Sequence, residues 1–143
     1  MTDSTEALSL AMAAEHAAIF GYGAVGARLT GSAQAAARQA EAAHRDRRDA
    51  LAARMIAASA PPPPADAAYQ LPFPVTDRAS ALRLAVHVEE GAARAWRQGL
   101  PATSGETRRF AVAALIDCAV RAARWRRTAG TQPATVPFPG APA

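Results

Sequence analysis

Four consecutive prolines, Pro61–Pro64, interrupt this chain of 143 residues near its middle. Proline lacks the amide proton and clashes with the preceding turn, so no helix runs through such a segment. The residues on either side recur at helical spacing instead. β-branched residues are scarce and nowhere alternate with a period of two, which leaves no candidate strand. The chain is therefore expected to be all-α, with its helices in two groups about the proline run.

Four helices emerge from periodicity and end signals. Asp3 or Ser4 can cap the first, which is predicted to run to about Leu29 and to be closed by Gly31. The second starts after Ser32 and stops before Pro61. The third opens at Asp77 and ends near Gly99-Leu100-Pro101. The fourth begins at Thr103-Ser104-Gly105-Glu106, which reads as a capping box, and runs to about Ala129. Arg124, Arg126 and Arg127 suit the negative end of its dipole. Residues 131–143 are proline-rich and are expected to be an extended or disordered tail.

The links between helices predict the architecture. Short turns join the first helix to the second and the third to the fourth, which makes two antiparallel hairpins. Residues 61–77 lie between the hairpins. Extended, they can reach about 50 Å, whereas a helix of roughly 26 residues is about 39 Å long. The segment can therefore cross the whole bundle. The expected plan is one domain, residues 1–130, with a crossover at 61–77 and a tail at 131–143.

Half the chain is apolar, but most of that is alanine, so the helices must approach closely to bury enough area. The net charge is +4 and every basic residue is arginine, as in proteins from GC-rich genomes. Cys118 is alone, which excludes an internal disulfide and fits a reducing cytoplasm. The amino terminus lacks a basic region followed by an apolar run, and no stretch reads as a membrane span. A cytoplasmic protein without membrane contact is expected. The arginines at 45–48 and 121–127 have no aromatic interleaving or reading motif to support a nucleic-acid or ribosome contact. Leu10, Leu84 and Val88 fall on outer faces. Cover from Leu71, Phe73, Val136 and Phe138 or from a second subunit is expected, and a homodimer is predicted.

Charges interrupt the apolar stripes. Glu15 lies on the stripe Leu8, Met12, Ile19, Tyr22 and Leu29, and Glu41 and His44 share one with Ala37, Leu51 and Met55. Glu89 lies with Leu82, Val86, Ala93, Trp96 and Leu100, and Glu90 is the second choice on that helix. A charge on such a seam costs several kcal/mol unless a partner or a metal meets it. Di-metal bundles take a glutamate from each of two helices and Glu-x-x-His from each of the other two. Here Glu15, the pair Glu41 and His44, and Glu89 match that pattern. The fourth helix reads Asp117-Cys118-Ala119-Val120, with valine where a second histidine belongs. Arg48 and Arg121 offer a competing partner, since a guanidinium binds two carboxylate oxygens in a fork.

The segments AEHAAIFGYG, EAAHRDRR, LPFPVTD, HVEEGAARAWR and DCAVRAARWR resemble the ferritin-like superfamily, specifically its small actinobacterial family DUF4439, over residues 4–138. The resemblance implies a ferritin-like four-helix bundle. It also implies an ancestral di-iron site that Val120 and the short Asp117 degrade. Two readings stand. One is a non-catalytic binding or scaffold protein with an arginine–carboxylate core built on Arg48 and Arg121. The other is a metal-binding protein, with iron or manganese held by Glu15, Glu41, His44, Glu89 and Asp117, acting as an oxidase or in iron handling.

Overall fold

In the computed structural model, which describes residues 3–142, four helices form an all-α bundle. They are α1 (Ser4–Gly26), α2 (Gly31–Ala57), α3 (Arg78–Gly99) and α4 (Gly105–Ala129), with a short 3-10 turn at Leu100–Ala102. The Asp3 carboxylate accepts from the Glu6 amide at 2.8 Å and starts α1. α1 stops three residues before the predicted Leu29, whose side chain is nevertheless buried in the turn. Gly31 opens α2 rather than closing α1, with φ +58°, a left-handed conformation that glycine adopts without strain.

The capping box belongs to α3, where Asp77 and Ser80 exchange bonds between side chains and backbone. The one predicted at Thr103–Glu106 does not form. The Thr103 hydroxyl donates instead to the Leu100 carbonyl at 2.8 Å, and the Glu106 carboxylate accepts from Arg109.

α1 packs against α2 and α3, and α3 against α4. Two apolar clusters fill the interior. One joins Leu8 and Met12 of α1, Leu51 and Met55 of α2, Trp96 of α3, and Ala111, Ala114 and Cys118 of α4. The other joins Tyr22 and Val25 of α1, Ala37 and Ala40 of α2, Leu82 and Leu84 of α3, and Trp125 of α4. Much of both is alanine, as the composition requires. α1 and α3 approach closely at Gly21, where an added Cβ would lie 2.7 Å from Val88 Cγ1.

Leu84 is fully buried, and Leu71 and Phe73, two of the residues expected to cover that face, pack with Val75 against the cluster that contains it. The His16 ring hydrogen-bonds the Pro63 carbonyl at 3.0 Å and anchors the proline run. The tail is tied down as well: Arg97 and Arg126 donate to the carbonyls of Pro139 and Ala134. Contrary to the sequence reading, α1 is long and apolar enough to cross a membrane. It packs here as a bundle helix with Glu15 at its centre.

Candidate metal centre

A polar layer lies between the two apolar clusters, and α1, α2 and α3 each insert one fully buried polar side chain into it: Glu15, His44 and Glu89. His44 joins them. Its Nδ1 lies 2.5 Å from Glu15 Oε2 and its Nε2 lies 2.9 Å from Glu89 Oε1. Both acceptors are carboxylates, so both ring nitrogens act as donors and the ring is an imidazolium. Burial pulls the His44 pKa down, but the hydrogen bonds and charges of Glu15 and Glu89 outweigh it and raise it from 6.5 to about 9. Burial likewise works against the Glu15 carboxylate, yet His44 and Arg47 hold its pKa below the ordinary value.

Aromatic donors complete the layer. Trp96 Nε1 donates to Glu15 Oε1 at 2.8 Å. Trp125 Nε1 donates to Tyr22 Oη at 2.8 Å, and Tyr22 Oη donates to Glu89 Oε1 at 2.6 Å. Burial and the neighbouring Glu89 charge keep the Tyr22 phenol protonated well beyond its usual range. These N–H contacts join residues 81 and 103 positions apart, so no local spacing in the sequence signals them.

Arginines close the side facing α4. Arg47 donates to Glu15 Oε1 at 3.2 Å and pairs with Asp117. Arg121 grips Asp117 with both nitrogens, at 2.7 and 3.1 Å, and stands 3.7 Å from Glu89 Oε1. Burial raises the Asp117 carboxyl, but Arg121 and Arg47 overcome this and hold its pKa below the usual value. Burial lowers the affinity of each guanidinium for its proton, and the surrounding carboxylates more than restore it.

Two predicted residues stand outside this layer. Glu41 pairs with Arg45 at 2.7 Å, and Arg48 pairs with Asp49 at 2.9 Å. Helical geometry gives the reason. At about 100° per residue, Glu41 and Arg48 lie about 60° and 40° to one side of His44, and Arg47 lies about 60° to the other. The layer opens on Arg47's side, so Arg47 is the interior arginine and Arg48 is not. Glu90 is also outside, paired with Arg126 near the tail.

α4 is rotated relative to a metal-ligand register. Cys118, not Asp117, is the fully buried residue, and Val120, at the expected second-histidine position, is 44% exposed. Asp117 is reached from outside the apolar core by the two arginines. These residues do not fit a two-metal centre: Glu41 is absent from the layer, and guanidinium groups occupy the ligand positions of Glu15 and Asp117.

A single-ion site does fit the donors present. One donor atom each of His44, Glu89 and Cys118 lie within 4.8 Å of one another, all fully buried. Glu89 Oε2 is the one buried side-chain oxygen or nitrogen among the described residues without a hydrogen-bond partner. Burial and the Glu89 charge push the Cys118 thiol pKa well up, so it is protonated without an ion; a coordinated thiol loses its proton. The sequence signal for Cys118 was its place beside Asp117, one position from the residue chosen.

A family model described as a domain of unknown function, DUF4439, matches residues 7–143. The crystal structure of a conserved hypothetical protein, rv2844, from Mycobacterium tuberculosis is similar to this chain at 40% identity. That match has a TM-score of 0.84 and covers 87% of this chain and 96% of that one. No curated protein matches. With its all-α bundle and buried carboxylate–histidine layer, the chain belongs to the DUF4439 family of the ferritin-like superfamily.

Proposed function

We propose that this bundle binds one transition-metal ion between His44, Glu89 and Cys118. The orphaned Glu89 Oε2 carries the reading. A buried acceptor left unpaired costs about 1–3 kcal/mol, and a cation beside it removes that cost. His44 would present Nε2 while its Nδ1–H stays on Glu15, which orients the ring and raises its basicity. Arg47 would neutralise Glu15 and donate to Cys118 Sγ, 3.5 Å away, and Arg121 would neutralise Asp117 beside Glu89. A divalent ion that displaces one proton from His44 and one from Cys118 leaves the charge of the layer unchanged. A thiolate beside imidazole and carboxylate suits iron(II) or zinc better than manganese. When bound, the ion would supply Lewis acidity or, for iron, one-electron chemistry.

The ferritin-like connectivity belongs to the same proposal. The first cluster combines the start of α1 with the end of α2, the end of α3 and the start of α4. That membership supports two antiparallel hairpins joined by residues 58–77 running the length of the bundle.

Cobalt(II) titration of chelator-treated protein tests the ion site. One equivalent is expected to produce a near-ultraviolet thiolate-to-cobalt absorption that Cys118→Ala abolishes. An identical spectrum in the variant, or no thiolate band in the wild type, refutes it.

A metal-free scaffold is the second reading, favoured by the charge count. Three carboxylates, Glu15, Glu89 and Asp117, meet three cations, His44, Arg47 and Arg121. In that case the His44 protons take the place of an ion, and neither cobalt nor chelator shifts the melting temperature.

A further inference from the structure

α4 carries an apolar row on its outer face. Val112, Ile116 and Val120 succeed one another at intervals of four, with 37%, 57% and 44% of their surfaces exposed. Such residues lie along one side of a helix. The exposed Leu10 and Phe20 of α1 and Ile56 of α2 form no comparable row. Val136 of the tail and Val120 line one cavity of about 220 Å³.

Charges flank the row with a particular symmetry. Glu106 and Arg124 are 18 residues apart, about five helical turns, so both lie on one flank at opposite ends. Their midpoint falls at residue 115, and the midpoint of the apolar row is Ile116. The Glu106 side chain is 74% exposed and bound only to the equally exposed Arg109. On the other flank, Arg126 is neutralised by Glu90.

We propose that α4 packs antiparallel against α4 of a second copy of this chain, about a two-fold axis at Ile116. That operation sets Ile116 against its own copy and Val112 against the partner's Val120. It also brings Glu106 of each chain within two residues, about 3 Å along the axis, of the partner's Arg124. Rows of residues four apart are the ridges that interdigitate in the commonest helix packing. The occupant is a second copy because the two-fold maps the apolar row onto itself and sets the single exposed acid of this face, Glu106, near the partner's Arg124.

Sedimentation of the full chain over a dilution series tests the interface. The wild type is expected to dimerise and Ile116→Asp to be monomeric with unchanged helix content. Glu106→Arg and Arg124→Glu are each expected to weaken dimerisation about tenfold, by turning two attractive pairs repulsive. The double variant, which restores both pairs, recovers it. All three charge variants are on exposed positions, so they remain informative if Ile116→Asp fails to fold. A monomeric wild type, a dimer indifferent to Ile116→Asp, or a double variant as weak as the singles overturns the proposal.

Discussion

Arg47 and Arg48 are neighbours in sequence with opposite fates. Arg47 reaches the buried Glu15 and the partly exposed Asp117, while Arg48 pairs with Asp49 at the surface. Replacing Arg47 by methionine leaves the Glu15 and Asp117 charges undercompensated and is expected to cost about 3–5 kcal/mol in metal-free protein. Arg48→Met should stay within about 0.5 kcal/mol. Urea unfolding of the two variants checks both, and equal losses would contradict the assignment. Glu15, His44 and Glu89 were legible in the sequence because a charge amid leucines and alanines breaks an apolar stripe. The choice between Arg47 and Arg48 was not, since each lies within one turn of His44 and only the position of α4 separates them. Cys118 was hidden for a similar reason. Apolar residues surround more than half of α4, so its inward direction could not be read from spacing alone.

The helices themselves were legible because their ends carry local chemistry. Asp3, Asp77 and the proline run act within a few residues, and each sits where it was expected to start or stop a helix. The Thr103–Glu106 capping box failed because local partners three residues away, the Leu100 carbonyl and Arg109, captured both of its side chains. The glycines of α1 divide by contact rather than by motif. Gly21 faces Val88, whereas Gly23 and Gly26 have open space where a Cβ would stand. Gly21→Ala is expected to destabilise the bundle by about 1–3 kcal/mol through overpacking. Val88→Ala in the same chain should recover part of that loss. Thermal melts of the single and double variants measure the coupling, and a neutral Gly21→Ala would show that α1 and α3 can separate freely.

At the scale of the whole molecule, the polar layer couples stability to pH. The folded protein holds the His44 proton more tightly than the unfolded chain does, so this contribution is full below pH 6.5. It is lost as pH rises toward 9. The rise from 6.5 to about 9 corresponds to about 3 kcal/mol. Unfolding free energies of chelator-treated protein should fall across that window, and His44→Gln should remove most of the slope. An unchanged slope in the variant would place the titrating group elsewhere. An ion bound at Nε2 should flatten the same slope, because His44 then has no second proton to lose.

Metal content after anaerobic loading with iron(II) and removal of free ion tests the central claim most directly. The wild type is expected to retain about one ion per chain, and Glu89→Gln and Cys118→Ala to retain almost none. A wild-type protein that emerges without iron, or variants that hold as much as the wild type, would contradict a site at His44, Glu89 and Cys118.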